Sequence, residues 1–251
     1  MAWRNTRDPY SILLSEFMLQ QTQVDRVKTK YEQFLSAFPT LTDLAGAALP
    51  DVLNVWQGLG YNRRAISLKR CAEEVVKRFG GQIPQSIPAL LSLPGIGPYT
   101  ARAVAAFAFD VPEPLIETNI RAVFIHFFFH GYEKIADQEI LPLVAATLDQ
   151  NNPRDWYYGL MDYGVMLKQT HSNPARRSNR HIKQSCFAGS NRQLRSLMLR
   201  ALLASPGLTS SGLAEFLNVE QEAVEKNLGV MEREGFLEET GKRYQVRQHL
   251  H

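Results

Sequence analysis

The chain has 251 residues, 45% of them hydrophobic, with a formal net charge of +3 and a pI near 8.8. That length buries a proper core in one large domain or two, and the mild basic excess permits nucleic-acid binding without requiring it. Cys71 and Cys186 are the only cysteines, so no disulfide framework and no set of thiolates for zinc or an iron-sulfur cluster is expected. No apolar run approaches a membrane span and no signal-peptide pattern opens the chain, so a cytoplasmic, nucleoid-associated location in a reducing compartment is expected.

In chain order, Asp8-Pro9 reads as a helix start, Asp as cap and Pro at the first helical position, with Ile12, Leu13, Phe17 and Leu19 facing inward and Glu16 among them. Helix continues from Val24 to Phe38, two short helices follow up to Trp56, and Gly58-Leu59-Gly60 ends the second. Residues Ala65 to Phe79 are amphipathic, with Ile66, Leu68, Ala72, Val75 and Val76 inward and Lys69, Arg70, Glu73, Lys77 and Arg78 outward. Arg63 and Arg64 read either as phosphate contacts or as solvated charges.

The stretch from Leu93 to Val104 organises the rest. Ile87, Leu90, Leu91 and Leu93 fit one apolar helical face before it, and an Ala-rich helix follows from Tyr99 to Phe109. Between them Gly95 and Gly97 allow positive φ and leave backbone N–H groups uncovered, while Pro98 starts the second helix. Such a start attracts an anion, phosphate above all. By composition alone the same stretch is a tight turn between two core helices.

Leu115 to Asn119 delivers the chain into a helix running through Phe129, and Ile135 to Leu148 and Arg154 to Leu167 are helical by period. Residues 1 to about 190 therefore read as all-α. From His171 to Ser190 the chain turns polar and basic, with Arg176, Arg177, Arg180 and Lys183 crowded together, either a solvated linker or a phosphate contact. Residues 191–251 read as three helices and a hairpin around Thr240-Gly241, an order that resembles a winged helix. Basic and acidic side chains balance there, so the excess positive charge lies in the first domain and the winged helix reads as a support or a contact for a protein partner.

The hairpin resembles the helix-hairpin-helix element of the base-excision DNA glycosylases, the group of endonuclease III and the MutY-type adenine glycosylases. Trp3-Arg4, Asp8-Pro9-Tyr10 and Ser15 through Val24 are similar to the MutY-type opening. Trp56-Gln57-Gly58-Leu59-Gly60-Tyr61 and Met161-Asp162-Tyr163-Gly164 follow at similar spacing. The resemblance implies a helix-hairpin-helix glycosylase domain over 1–190, with duplex DNA carrying a damaged or mismatched base as partner. It departs from the family at the iron-sulfur cluster, because the matching positions hold no four cysteines. Where MutY-type enzymes usually carry a nudix-like domain that inspects 8-oxoguanine, a winged helix is expected instead.

A glycosidic bond breaks with oxocarbenium character, so a proton for the leaving base and a negative charge near the sugar are needed. By resemblance Glu16 gives the proton and orients the attacking water, which requires a raised pKa. Glu117 stands where the family has an Asp that stabilises the cation, and by itself is a carboxylate at a helix start. Tyr99 stands where bifunctional relatives carry a Schiff-base Lys, which implies hydrolysis without efficient lyase activity. The resemblance makes Trp3 and Arg4 pocket residues, and Gln21, Thr22 and Tyr61 residues that fill the stack and attend to the opposite base. Tyr158 falls where MutY-type enzymes tend to place a Gln or Glu. The leading reading is adenine opposite 8-oxoguanine. The alternatives are a mispaired, deaminated or oxidised pyrimidine, and a catalytically silent mismatch binder.

Overall fold

The computed structural model describes residues 1–181 and 186–250. Lys183 of the basic segment lies outside the described residues. The first ten helices are α1 (Pro9–Leu19), α2 (Val24–Ala37), α3 (Leu41–Gly46), α4 (Leu49–Trp56), α5 (Arg63–Phe79), α6 (Ile87–Leu91), α7 (Pro98–Phe109), α8 (Thr118–Phe128), α9 (Asp137–Thr147) and α10 (Pro153–Thr170). After them come α11 (Asn191–Ala204), α12 (Ser210–Leu217), α13 (Gln221–Arg233), β1 (Leu237–Thr240) and β2 (Arg243–Val246). No described helix is long and apolar enough to cross a membrane.

Helix α1 lies at the centre. Asp8 caps it by accepting from Ser11 N at 2.8 Å, Pro9 takes its first position, and Tyr10 and Ile12 through Met18 are all buried. An amphipathic helix shows a polar face to water; this one is buried on nearly every side because α2, α5 and α7 enclose it. Glu16 is thereby carried inside.

Helix α5 departs from its expected pattern at Lys69, which is buried, pairs with Glu73 at 2.8 Å and donates to Ala45 O at 3.0 Å. Its cation binds a free carbonyl at the end of α3, which outweighs exposure to water. Leu91 also departs, being exposed while Leu90 and Leu93 are buried, because α6 is too short to turn four apolar residues inward.

In the α6–α7 hairpin only Gly95 uses the freedom of glycine. It stands at φ +77°, and a Cβ there would fall 2.6 Å from Ser67 Cβ and 3.0 Å from Phe17 Cε1. Gly97, expected to share that role, is in ordinary extended backbone and caps α7 ahead of Pro98. Its empty side meets nothing within 4 Å.

The basic segment is tied down. Ile135 and Ser178 form a parallel bridge, with Ile135 N donating to Arg177 O and Asn179 N to Ile135 O, each at 3.0 Å. The C-terminal strands pair antiparallel from Leu237–Val246 to Thr240–Arg243. Gly241 and Lys242 both take positive φ in the two-residue turn that suits the strands' twist. The three helices and hairpin have the order expected of a winged helix, and their buried residues run into one continuous cluster with the core around α1.

Gly95 and Gly97 separate stability from surface. Gly95→Ala is expected to cost about 2 kcal/mol or more, through overpacking and positive φ together. Gly97→Ala should stay within about 1 kcal/mol in thermal or denaturant unfolding. Equal losses for the two would contradict the geometry.

Candidate active site

Glu16 is 6% exposed, and burial pushes its carboxyl up to about 7. A hydrogen bond from the Tyr99 hydroxyl opposes the shift and the Glu117 carboxylate adds to it. Tyr99 sits at the second position of α7, and burial followed by the charges of Glu16 and Glu117 holds its phenol well above its ordinary value. These residues come from α1, the hairpin and the start of α8, so the helix packing described above assembles the site.

Glu117 caps α8. Its Oε1 accepts from Asn119 N at 2.6 Å and from Ile120 N at 3.1 Å. Burial raises its pKa, and both amides and the Lys168 ammonium oppose that rise. Lys168 reaches in from α10 and donates to Asn119 Oδ1 at 2.7 Å. The two helices come together backbone to backbone here: a Cβ on Gly164 would fall 2.4 Å from the backbone oxygen of Asn119. The Met161–Gly164 motif thus has a packing reason, since only glycine lets α10 approach the end of α8 that carries Glu117.

Tyr158 forms the wall next to Glu16, whose charge contributes to the shift of the phenol up to about 12 after burial. Its ring stacks on Phe107 at 4.9 Å and 14°, and the guanidinium of Arg4 lies 4.6 Å from the ring centre. Arg4 Nη1 reaches both carboxylate oxygens of Asp162 at 2.8 Å. Trp3 is a core residue, edge-on to Tyr31 at 5.3 Å, and seats Arg4 against the wall.

Gln21 and Tyr61 are both exposed and both stand at positive φ, +55° and +47°, on adjacent turns. Thr22 lies between them in space, its hydroxyl donating to Leu59 O at 3.3 Å. Arg64 binds the two turns together and is a correction to both sequence readings, because it is neither solvated nor at the surface. Nη1 donates to the carbonyls of Phe17, Met18 and Gln20 at 2.6–2.8 Å. Nη2 donates to Thr22 Oγ1 at 2.9 Å, Leu59 O at 3.2 Å and Gly60 O at 3.0 Å. Periodicity gives no hint of these acceptors, which exist only once α1 has ended.

The paired basic residues are separated. Arg176 is exposed, whereas Arg177 donates to Phe129 O and to Ile125 O at the C-terminus of α8. A guanidinium engaged with helix-end carbonyls is a structural cap, which corrects the expectation of a phosphate contact at Arg177. A cavity of about 390 Å³ next to Gln21 is lined by Thr118, Arg121, Arg180 and His181 among others, bringing part of the basic segment to the neighbour of Glu117. Cys71 is buried in α5 and Cys186 is exposed, so the residues present do not fit an iron-sulfur cluster, which takes four thiolates.

Residues 14–145 match the family model described as HhH-GPD superfamily base excision DNA repair protein. The adenine DNA glycosylase of Mycolicibacterium smegmatis is 33% identical over 80% of this chain and 75% of its own. The thymine/uracil-DNA glycosylase of Methanothermobacter thermautotrophicus is 33% identical over 66% of this chain and 76% of its own. The solved structure of a thermostable thymine-DNA glycosylase superposes with a TM-score of 0.64 at 29% identity, covering 69% of this chain and 82% of that one. The chain spans half or less of the length of further adenine DNA glycosylases that it matches. The matched residues take in the second half of α1 with Glu16, the hairpin with Tyr99 and the start of α8 with Glu117, and the chain belongs to the HhH-GPD superfamily of base excision DNA repair proteins and carries its DNA N-glycosylase domain.

Proposed function

We propose that this protein is a monofunctional DNA glycosylase that releases adenine mispaired with 8-oxoguanine from duplex DNA. The observation that carries the hydrolytic reading is the buried Glu16 carboxyl, raised to about 7 and facing the Glu117 carboxylate. The base must leave the stack to reach it. As the glycosidic bond breaks, its electron pair goes to the base and Glu16 gives the proton to a base nitrogen. Glu117 holds the positive charge that develops on the sugar. Water then adds to the sugar carbon, and its proton passes to the Glu16 carboxylate, restoring the acid.

Tyr99 keeps its proton at neutral pH and has no amine, so it forms no imine with the sugar. The product is an intact strand with an abasic site. The reaction is read as needing no iron-sulfur cluster, and Arg176 and Arg180 offer charge to the DNA backbone in its stead. A nucleoid-associated location follows from this reading.

The preference for adenine is supported by the Mycolicibacterium smegmatis relative and by the Trp3-Arg4 and Leu19–Thr22 motifs. One observation favours a pyrimidine instead. The Tyr158 ring is stacked on Phe107 and senses the Glu16 charge, and in a pocket built for a pyrimidine it would fill the space of a purine's second ring. Single-turnover rates on A opposite 8-oxoguanine, A opposite G, T opposite G, uracil opposite G and 5-hydroxyuracil opposite G decide between them. The first is expected to be fastest, with strand breaks only after alkali; a faster pyrimidine duplex gives the second reading. No release from any of them by a preparation that binds DNA leaves a silent mismatch binder.

Because Glu16 acts in its protonated form, the single-turnover rate should fall as pH rises through about 7. Glu16→Gln should lower the rate by about a thousandfold or more while duplex binding persists. The same substitution should stabilise the fold. Between 4.5 and about 7 the folded carboxyl binds a proton that the unfolded one has released, so stability falls as pH rises through that window. The full penalty, on the order of 3 kcal/mol, is present above it. Glu16→Gln is therefore expected to melt higher than wild type at pH 8 and alike at pH 4.

Arg176→Ala should reduce the slope of log affinity against log salt by about one, the mark of a single lost phosphate contact. Arg177→Ala should leave the slope alone and lower stability. A change of slope at Arg177 would return it to the DNA surface.

A further inference from the structure

The C-terminal unit is seated on the same side of the molecule as the turn that carries Tyr61. Leu49 N donates to Gln248 O at 2.9 Å. Glu234, at the end of α13, meets Arg63 at 3.9 Å and is held by Arg195 from α11. A Cβ on Gly235 would come within 3.0 Å of Arg70 Nη2, so helix α5 is approached closely. These contacts fix where α11 begins, and its second residue is Arg192.

Arg192 Nη1 donates to the Tyr61 hydroxyl at 2.8 Å, and its guanidinium carbon lies 5.8 Å from the Tyr61 ring centre. Tyr61 itself stands at φ +47°, a backbone conformation that an aromatic residue adopts only under constraint. Its carbonyl accepts from Arg64 Nε at 3.4 Å. The backbone of Tyr61 is thus held from the core side by Arg64, and its phenol from the C-terminal side by Arg192. Two arginines from different parts of the chain hold an exposed aromatic residue.

We propose that Arg192 is a specificity-determining positioning residue: by fixing the Tyr61 ring at the face that meets the opposite strand, it makes the C-terminal unit part of the apparatus that distinguishes the base opposite the excised one. The proposal rests on the assignment of Tyr61 to the opposite base. A ring that is already oriented gains contact with the right base pair and clashes with the wrong one, which is how a site rejects a near relative of its substrate. A ring free to turn accommodates both. The unit contributes through one arginine at its edge instead of through a recognition helix.

The test is a double-mutant cycle read on discrimination, the ratio of single-turnover rates with 8-oxoguanine and with guanine opposite the excised base. Arg192→Ala and Tyr61→Phe are each expected to lower the ratio by about tenfold, and the double variant to fall within about threefold of either, because both remove one interaction. Arg192→Lys, which restores the cation and a donor, should recover part of the loss. Ratios within about twofold of wild type, or losses that multiply in the double variant, overturn the proposal. An equal loss of affinity on both duplexes, with a salt slope smaller by about one, makes Arg192 a backbone contact and also overturns it. If Arg192→Ala unseats the C-terminal unit, seen as a second melting transition, Tyr61→Phe alone decides: an unchanged ratio overturns the proposal. Should wild type prefer a pyrimidine, the substrate reading fails by itself, and the cycle is read with that pyrimidine opposite the same two bases.

Discussion

A single buried guanidinium sets the geometry on which the site depends. Every helix leaves its last carbonyls without partners, and α1 ends inside the protein, where water does not serve them. Arg64 serves those of Phe17, Met18 and Gln20 together, and with its other nitrogen it takes Thr22 Oγ1 and the carbonyls of Leu59 and Gly60. Burial lowers its pKa to about 10, which leaves it charged at neutral pH. Removing it strands several acceptors at once, each at a cost of roughly 1–3 kcal/mol. The same side chain joins the helix of the acid to the two turns that carry Gln21 and Tyr61. The helix that carries Glu16 and the turns that carry Gln21 and Tyr61 are therefore tied together by one side chain.

Carrying Glu16 in the middle of α1 is affordable because of its neighbours. Ile12, Leu13, Leu14, Phe17 and Met18 are each at most 1% exposed. At roughly 2 kcal/mol for each such side chain they contribute on the order of 10 kcal/mol, against about 3 kcal/mol lost to the raised carboxyl at neutral pH. The enclosure that yields this surplus is also what excludes water from the carboxyl. Stability of the helix and acidity of its Glu are thus one arrangement seen twice, and a substitution that lets water in would lose both.

The elements on which the chemistry sits were readable in the sequence because their signals are local. Asp8-Pro9 caps α1, Pro98 opens α7, and the apolar periods of α8 and α10 end where the structure ends them to within a few residues. The charged residues were misread for one shared reason. Lys69, Arg64 and Arg177 all bind carbonyls at the ends of other helices, whereas a reading of the sequence sends Lys69 to water and the two arginines to water or phosphate. Only assembly shows which helix ends are buried. Gly95 and Gly97 make the same point for backbone, since both sit in one motif but only Gly95 has Phe17 and Ser67 against it. The role of Gly164 was likewise hidden until α10 lay on Asn119.

Glu117 raises the question of how a longer side chain replaces a shorter one without displacing its charge. An Asp at a helix start caps with its carboxylate extended only two bonds from the backbone. Glu117 achieves a comparable cap by folding back, so that Oε1 meets the amides of Asn119 and Ile120 and the extra methylene is taken up within its own turn. The carboxylate is then fixed at the positive end of α8, with Lys168 brought near through Asn119. At Glu16 burial dominates, a hydrogen bond from Tyr99 opposes the shift and the charge of Glu117 enlarges it. Burial raises both carboxyls, and at Glu117 two backbone amides and the Lys168 ammonium oppose the rise.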